Sequence, residues 1–299
     1  MTNLDEIIDK NKILIDELMK NHTTFRIGGK ADIMLLPETE DEIIEIVKFC
    51  YKTKQNFFVL GGGSNLLIPD TGIRDVVIKL SDNYSKFTID NEIIMAEAGI
   101  KLWDLSEKIL ENNLTGFEFA SGIPGTIGGG VYMNAGAYDS EMKNIVKTVR
   151  VIDNQGNIRE YTNEEMKFGY RTSYAMEQKS IISKVTLKLA KGNHQDIVDK
   201  TNDFANRRSE KQPLTEYSAG STFKRPPGHY AGKLIEEAGL KGFSIGEAKV
   251  SEKHSGFVIN KGNCTYKEMV EFIDEVKNRV YKNSGILLEE EVRIPGRNI

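Results

Sequence analysis

The stretch Gly61-Gly62-Gly63-Ser64-Asn65-Leu66-Leu67 follows an apolar run, Phe57-Phe58-Val59-Leu60, that predicts a short buried strand. Three successive glycines favour neither a helix nor a strand, because glycine loses more backbone freedom on folding than any other residue. They offer instead a row of backbone N–H groups that no side chain covers. Such a row can surround a phosphate or a diphosphate closely.

A second glycine-rich segment, residues 121–130 with the sequence SGIPGTIGGG, lies further along the chain. One glycine-rich turn by itself is more often a simple tight turn than a ligand site. Two such segments in one chain predict a dinucleotide cofactor that is held from two sides. Neither segment has the G-x-G-x-x-G or G-x-x-x-x-G-K-[ST] pattern, which disfavours a Rossmann domain and a P-loop.

Composition excludes several classes of protein. The 299 residues are 39% hydrophobic and 28% charged, which is ordinary for a protein with two or three lobes around real cores. The net charge of −4 gives no nucleic-acid footprint, so we expect no nucleic-acid partner. Cys50 and Cys264 stand far apart, which argues against a metal site or a disulfide framework and favours a reducing cytoplasm. No apolar stretch approaches the ~20 residues that span a bilayer, so we expect no membrane segment.

Periodic apolar residues predict a helix over residues 4–19, and Thr39 with Glu42 and Thr265 with Glu268 form capping boxes that start two further helices. Apolar or alternating runs predict strands at residues 76–78, 93–96, 181–189 and 286–294 and a hairpin at residues 146–161. Changes of texture near residues 70–75 and 195–205 predict three tightly joined lobes, 1–72, 73–200 and 201–299.

Three further segments carry chemically useful side chains. Arg171 lies among aromatic and hydroxyl residues, Ser221 and Lys224 flank an aromatic residue, and residues 288–292 contain a run of acids. As bare patterns they are typical of a surface loop, a turn and a solvated edge strand. Strand alternation would place Glu289 and Glu291 on one face and Glu290 on the other. The chain has no G-x-S-x-G motif, which disfavours a hydrolase nucleophile.

Together these segments resemble the UDP-N-acetylenolpyruvoylglucosamine reductases (UDP-N-acetylmuramate dehydrogenases) of bacterial cell-wall synthesis. Each motif alone is only weakly to moderately specific, but the ordered set is highly specific and covers nearly the whole chain. The segments that carry the resemblance are residues 21–29, 59–67, 116–129, 132–138, 170–173, 219–224, 231–236, 253–254 and 288–293.

The resemblance implies an α+β protein with a FAD-binding fold of the vanillyl-alcohol-oxidase (PCMH) type. Lobes 1–72 and 73–200 would clasp FAD, and a C-terminal α+β lobe, 201–299, would cover the substrate. Since no histidine or cysteine stands beside Ser64 and Asn65, we expect FAD to be bound non-covalently. The cofactor-binding residues that the motifs imply are Gly61, Gly62, Gly63, Ser64, Asn65, Leu66, Ser121, Gly122, Ile123, Pro124, Gly125, Thr126, Gly128, Gly129 and Ala135.

The activity that the resemblance implies has two steps. NADPH reduces FAD, and UDP-N-acetylglucosamine enolpyruvate then takes its place and is reduced to UDP-N-acetylmuramate. By the same resemblance Arg171 and Glu291 bind and polarise the substrate carboxylate, with Glu291 protonated, and Ser221 protonates the reacting carbon. Lys224 is a candidate to support Ser221 or to bind phosphate. Arg208 and Lys211 are candidates for the diphosphate, although a solvated helix end is an equally good interpretation of those two.

The family's shorter subtype, which lacks a tyrosine-bearing insertion, matches the short segment between Arg171 and Ser221. Arg225 stands where the family commonly has asparagine, so its contact with substrate stays open. We expect a monomer that acts on the small molecule UDP-N-acetylglucosamine enolpyruvate. We hypothesise that Tyr138, Tyr230 and His254 bind its uridine.

Two alternatives remain at this point. One is another oxidoreductase of the same flavin fold that passes electrons to oxygen. The other is a non-catalytic nucleotide-binding protein that kept the fold. Arg171, Ser221 and Glu291 together favour the reductase, because neither alternative needs all three.

Overall fold

The described residues, 4–297, mix helices and strands along the whole chain in the computed structural model. Residues 1–3 and 298–299, at the ends of the first and third predicted lobes, lie outside the described residues. The chain divides into two compact units. Unit 1 takes in the chain up to Ile15, Ile33–Gly62 and Asp75–Arg207; unit 2 takes in Asp16–Asp32, Gly63–Arg74 and the chain from Arg208 onward. The division into three lobes stays a prediction.

Helices α2, Glu40–Thr53, and α8, Tyr266–Ser284, begin where the sequence predicts. Thr39 and Thr265 both cap their helices in capping boxes, with Glu42 and Glu268 as the third helical residues, so both predictions are confirmed. The helices are α1 Leu4–Ile7, α2 Glu40–Thr53, α3 Leu102–Glu111, α4 Ile127–Tyr132, α5 Tyr174–Glu177, α6 His194–Lys211, α7 Ala231–Glu237 and α8 Tyr266–Ser284. Short 3₁₀ turns lie at Lys10–Lys12, Met19–His22, Glu118–Ala120 and Met142–Asn144.

The strands include the predicted runs at 76–78, 93–96 and 181–189 and the hairpin at 146–161, which are confirmed within a residue or two. They are β1 Ile13–Leu18, β2 Lys30–Leu35, β3 Phe57–Leu60, β4 Val76–Lys79, β5 Phe87–Asp90, β6 Ile93–Glu97, β7 Leu114–Thr115, β8 Gly136–Ala137, β9 Ser140–Glu141, β10 Val146–Ile152, β11 Ile158–Thr162, β12 Ile181–Lys188, β13 Ala190–Lys191, β14 Ser244–Ile245, β15 Ala248–Val250 and β16 Val258–Asn260.

Two predicted elements are wrong. The helix predicted over residues 4–19 ends at Ile7, and its second half is strand β1, because pairing with β2 overrides a weak local preference. The strand predicted at 286–294 has only isolated bridges, which join Phe223 to Glu290 and Leu66 to Arg293.

One four-stranded sheet has the order β1-β2-β4-β3, and unit 1 contains a five-stranded antiparallel sheet in the order β11-β10-β12-β6-β5. Strands β2 and β3 both run parallel to β4, and α2 connects β2 to β3. Buried apolar residues of α2, α3 and both sheets form one core. Pairing with β4 and a hydrogen bond from Leu80 N to the Leu60 carbonyl at 2.8 Å hold the carboxyl end of β3, where the first glycine segment begins.

Unit 2 contains the three-stranded antiparallel sheet β14-β15-β16 together with α7 and α8. Helix α8 buries an apolar stripe at helical spacing. Gly285 caps its carboxyl end with a φ of 71°, a left-handed conformation that suits glycine. The buried residues of that stripe are Met269, Phe272, Ile273, Val276 and Val280. Among the residues that the structure describes, no helix is both long and apolar enough to cross a membrane.

Candidate active site

The two glycine segments meet inside unit 1. A Cβ atom placed on Gly62 would lie 2.8 Å from Cα of Gly125, and one placed on Gly61 would lie 2.7 Å from Oγ1 of Thr126. Both distances are shorter than real Cβ contacts, so neither position has room for a side chain. The main chain of Gly62 therefore faces that of Gly125 directly, and Gly61 faces the side-chain hydroxyl of Thr126.

The second segment leads into helix α4 through a turn with a positive φ and an N-cap residue. Gly125 has φ of 117°, which disfavours any residue with a side chain, and Thr126 caps the helix by accepting a hydrogen bond from Gly129 N at 3.4 Å. Gly128 packs on Ala98, where an added Cβ would lie 2.6 Å from the alanine Cβ. Gly129, by contrast, is exposed and has ordinary space around it.

Ala135, the remaining cofactor-binding residue that the resemblance implies, lies just beyond α4. Its N–H donates to the Gly130 carbonyl at 2.7 Å, and its own carbonyl accepts from Met142 N at 3.0 Å. The segment after α4 is thus tied back to the glycine-rich helix by main-chain bonds.

Arg171 lies in a tight turn that docks on the end of α4. Its φ of 57° is in the left-handed region, at a cost of roughly 1–2 kcal/mol for a residue with a Cβ. Asn134 Nδ2 donates to the Gly169 carbonyl at 3.0 Å and Ser173 Oγ donates to the Tyr132 carbonyl at 2.8 Å, so both sides of the turn are held. The Arg171 guanidinium lies 5.1 Å from the centre of the Tyr170 ring.

In unit 2 the first glycine segment continues beside the predicted catalytic glutamate. Asn65 Nδ2 donates to the main-chain carbonyl of Glu291 at 3.1 Å, and Arg293 N donates to the Asn65 carbonyl at 3.0 Å. Leu66 forms a parallel bridge with Arg293. The structure therefore brings the predicted cofactor-binding residue Asn65 next to Glu291, and Leu66 next to Arg293.

Ser221 lies on a strand-like segment that runs antiparallel to residues 289–292. The next residue, Thr222, donates its N–H to the Gly256 carbonyl at 2.9 Å, and its carbonyl accepts from Glu291 N at 2.8 Å. The Thr222 hydroxyl also accepts from Val258 N at 3.0 Å. Ser221 and Glu291 are thus fixed on neighbouring segments by main-chain hydrogen bonds.

The acidic run has two faces, as strand alternation predicts. Glu289 is exposed and lies 3.4 Å from Lys224 Nζ, whereas Glu290 is largely buried and lies 2.9 Å from Lys277 Nζ. Arg297 also lies 3.3 Å from Glu290. Glu290 is therefore part of a buried ion-pair network, while Glu289 pairs at the surface with Lys224, a candidate substrate-binding residue.

The remaining predicted substrate contacts are spread over both units. Arg208 and Lys211 lie in the last turn of α6, and Arg208 Nε donates to Gln212 Oε1 at 2.9 Å. The Tyr138 ring stacks on Phe204 at 4.1 Å, and its hydroxyl donates to the Phe204 carbonyl at 2.9 Å.

Tyr230 and His254 differ sharply in exposure. Tyr230 is 60% exposed, and the Arg225 guanidinium lies 4.4 Å from the centre of its ring. His254 accepts a hydrogen bond from Gly256 N at 3.1 Å, and burial lowers the pKa of its imidazole. The exposed pair Arg225 and Tyr230 is better placed than His254 to meet a polar ligand.

Sequence reasoning missed two residues that organise unit 1. Asn134 is 1% exposed, and its side chain also accepts a hydrogen bond from Lys143 N at 2.9 Å. Its φ of 45° lies in the left-handed region, which asparagine tolerates better than most residues do. Glu118 is 3% exposed; burial raises the pKa of its carboxyl, but hydrogen bonds from Thr115 and Gly116 and the charge of Lys200 outweigh this and leave it lowered. No sequence pattern predicts that Lys200, which lies 82 positions further along the chain, is its partner.

The facing glycine segments suit a dinucleotide, because glycines have no side chains that would cover the backbone N–H groups. The family model described as "FAD binding domain" matches residues 31–162, a range that contains both segments. These observations define the class: the protein is a FAD-binding protein.

The particular family follows from residues 212–295, which match the family model "UDP-N-acetylenolpyruvoylglucosamine reductase, C-terminal domain". A UDP-N-acetylenolpyruvoylglucosamine reductase of Alkaliphilus oremlandii is 48% identical over 98% of this chain and 96% of that relative. One of Clostridioides difficile is 48% identical over 99% of this chain and 97% of the relative. The chain belongs to the UDP-N-acetylenolpyruvoylglucosamine reductase family.

A solved structure supports the fold over the same length. The crystal structure of UDP-N-acetylenolpyruvylglucosamine reductase (MurB) from Thermus caldophilus has a TM-score of 0.80 and 34% identity, and the match covers 93% of this chain and 97% of that one. The predicted α+β FAD-binding fold with a C-terminal α+β domain is confirmed by this match and by the two family models.

Proposed function

We propose that this protein reduces UDP-N-acetylglucosamine enolpyruvate to UDP-N-acetylmuramate, with NADPH as the electron donor. The observation that carries the proposal is the presence of Arg171, Ser221 and Glu291 together in a chain of this reductase family. When bound, FAD accepts a hydride from NADPH and supplies it to the terminal carbon of the enol ether. The residues of this chain then have to bind the cofactor, hold the carboxylate and deliver a proton.

The main chains of the two glycine segments hold the cofactor in this proposal. Gly62 faces Gly125, and Gly61 faces the Thr126 hydroxyl, so closely that neither glycine has room for a side chain. Backbone N–H groups without covering side chains suit a diphosphate. The full set is that implied by the sequence, from Gly61 to Leu66 and from Ser121 to Gly129 with Ala135, and it contains no side chain that would form a covalent bond to FAD.

Arg171 binds the substrate carboxylate and stabilises the negative charge that develops beside it. Its guanidinium is planar and always charged, which suits a carboxylate better than a lysine would. The turn that carries Arg171 is held by Asn134 and Ser173 in a costly left-handed conformation. A cation that is fixed before the substrate arrives needs little free energy for reorganisation during the reaction. This is the condition for effective electrostatic catalysis.

Ser221 donates a proton to the carbanion next to the carboxylate. A serine hydroxyl is a weak acid in water, but a carbanion in a site without water is a strong enough base to take its proton. The main chain beside Ser221 is held by the hydrogen bonds of Thr222, so the hydroxyl is positioned by a rigid segment. A fixed general acid contributes about 10²–10⁴-fold to a rate.

Glu291 orients the carboxylate, and in its protonated form it donates a hydrogen bond to it. Its main chain is held between Thr222 and Asn65 on both sides. Lys224 supports the serine or binds the diphosphate. Its only described carboxylate partner, Glu289, is an exposed group, and such pairs are worth about 0.2–1 kcal/mol, so the lysine exchanges partners at little cost.

The remaining substrate contacts, the oligomeric state and the lobe boundaries belong to the same proposal. Arg208 and Lys211 contact the diphosphate, and Tyr138 and Tyr230 contact the uridine. The chain works as a monomer in the cytoplasm, with flavin lobes 1–72 and 73–200 and substrate lobe 201–299. Two buried free thiols, Cys50 and Cys264, support a reducing compartment.

The experiment that tests the proposal measures the two half-reactions of Ser221→Ala separately. Reduction of the bound flavin by NADPH should stay within about twofold of the parent, while its reoxidation by substrate should slow at least ~10²-fold. Thr215→Ala, at an exposed hydroxyl residue of the same unit, is the control and should change neither rate. Equal slowing of both half-reactions would remove Ser221 from the proton-transfer role.

A further inference from the structure

The carboxylate of Glu118 is the most deeply buried charge beside a glycine segment. Only 3% of the residue is exposed. Its Oε1 accepts a hydrogen bond from Thr115 Oγ1 at 2.5 Å, and its Oε2 accepts one from Gly116 N at 3.0 Å. Lys200 Nζ completes the set at 3.3 Å from Oε2. A buried charge is costly unless it is paired and hydrogen-bonded, and this one has three donors.

The main chain of the same residue starts the second glycine segment. Ser121 donates its hydroxyl to the Glu118 carbonyl at 2.8 Å, and its N–H points to the same oxygen at 3.3 Å. Ile123 N then donates to the Ala120 carbonyl at 3.0 Å. Glu118 is therefore bound through its side chain to the residues before it and through its carbonyl to the first residues of the segment.

Helix α6 supplies the positive partner. Its first residue, His194, lies 2.9 Å from the side-chain oxygen of Asn113, and Lys200 follows about two turns later on the same helix. The Lys200 side chain is 51% exposed, so its ammonium keeps water on one side while it meets the buried carboxylate. The helix and the turn before the glycine segment are thus joined at two points.

We propose that Glu118 and Lys200 are a positioning pair that fixes residues 121–126 in the conformation that receives FAD. Buried ion pairs contribute little net stability compared with apolar residues of the same size, but they select one geometry. Here the selected geometry is that of the turn that sets Gly125 against Gly62. The inference rests on the flavin site assigned under Proposed function, and neither residue touches the reacting atoms.

The test is the dissociation constant of FAD for apoprotein prepared from each variant. Glu118→Ala should weaken FAD binding at least about tenfold, the equivalent of one charge-assisted hydrogen bond. Glu118→Gln keeps the shape and can still bond Thr115 and Gly116, so it should weaken binding only about two- to fivefold, the range of a partly solvated ion pair. Lys200→Met should match Glu118→Gln, and the double variant should be no worse than either single one.

A matched control comes from Glu111, which pairs with Lys108 at 2.8 Å on the exposed side of α3. Glu111→Gln should leave the FAD dissociation constant within twofold of the parent. At saturating FAD, kcat of Glu118→Gln should stay near that of the parent, while the FAD concentration needed for half-maximal activity should rise. General loss of structure would lower kcat as well. If Glu118→Ala does not fold, Thr115→Val, which removes the 2.5 Å bond and keeps a β-branched side chain in β7, replaces it.

Gly62→Ala separates this inference from the site on which it rests, because its added Cβ would lie 2.8 Å from Gly125. If Gly62→Ala weakens FAD binding and the Glu118 and Thr115 variants do not, the positioning pair is refuted and the site stands. If none of them weakens binding, the flavin site itself is misplaced. Additive losses in the double variant would also overturn the pairing.

Discussion

The glycine segments of unit 1 and the Ser221–Glu291 segments of unit 2 are built on opposite principles. In the glycine segments the functional atoms belong to the main chain, and close approaches at Gly62 and Gly128 leave no room for another atom. In unit 2 the functional atoms belong to side chains, and main-chain hydrogen bonds around Thr222 hold their segments in place. The first kind of site is damaged by adding an atom, and the second by removing one.

The largest effect should come from Arg171, the one predicted catalytic side chain that lies in unit 1. Arg171→Lys keeps the charge but loses the planar fork, so the second-order rate constant with the enolpyruvyl substrate should fall about 10²–10³-fold. FAD content should stay at the parent level. Arg159→Lys is the matched control, since Arg159 also lies over a tyrosine ring, at 4.5 Å from its centre, and should change the rate less than twofold. A rate for Arg171→Lys close to that of the parent would contradict the assignment.

The three glycines of α4 offer a graded test of the main-chain site. Gly128→Ala places its Cβ 2.6 Å from that of Ala98 and should cost about 1–3 kcal/mol of unfolding free energy. Gly130→Ala meets Met142 Cε at 3.3 Å and should cost less. Gly129→Ala meets only an ordinary contact, with Thr126 Oγ1 at 3.6 Å, and should be neutral or up to about 1 kcal/mol more stable, because alanine favours a helix.

Denaturant unfolding of the three apoproteins measures this series. The predicted order of stability is Gly129→Ala first, Gly130→Ala second and Gly128→Ala last. Equal losses at all three positions would mean that helix geometry, and not close packing, requires the glycines.

In unit 2 the buried Glu290 should make stability depend on pH. Burial raises the pKa of Glu290, but the hydrogen bond from Lys277 and the charges of Lys277 and Arg297 outweigh this and lower it. A lowered folded-state pKa gives stability that is present above the ordinary glutamate pKa, about 4.3, and is lost as the pH falls through the folded-state value. Glu290→Gln should therefore cost about 1–3 kcal/mol at neutral pH, and less in acid.

Thermal melts of the parent and of Glu290→Gln across this acid range measure the effect. The two curves should converge as the pH falls below about 4. Parallel curves would show that the carboxyl of Glu290 does not titrate with a lowered pKa.

The smallest effect is expected at Glu289, one position away. Its side chain is 68% exposed, and it lies 3.4 Å from Lys224. Glu289→Gln should change the unfolding free energy by less than about 0.5 kcal/mol. A cost above about 1 kcal/mol would mean that the pair is not easily exchanged, and Lys224 would then be a structural residue and not a substrate contact.

The sequence predicted most of what local chemistry determines. The capping boxes of α2 and α8 and the apolar strands β3, β4 and β6 needed no knowledge of distant partners. What it missed depends on tertiary contacts. Residues 13–18 have helical spacing but pair with β2 as a strand, and the chain after Gly285 makes only isolated bridges.

The candidate site divides in the same way. The glycine segments pointed to a dinucleotide by their residue type alone, whereas Ser221 and Glu291 were identified through a family resemblance, since a serine in a turn has no periodic signal. Glu118 was missed because burial, and not its neighbours in sequence, gives it importance, and its partner Lys200 lies 82 positions away.

The most direct test of the central claim is an anaerobic record of the flavin absorbance of the purified protein. NADPH is added first and UDP-N-acetylglucosamine enolpyruvate second. The account predicts bleaching by NADPH and full recovery on addition of the enolpyruvyl nucleotide. Bleaching without recovery would contradict the proposed substrate and favour an oxidoreductase that acts on another acceptor, and the absence of a flavin band would contradict the cofactor site itself.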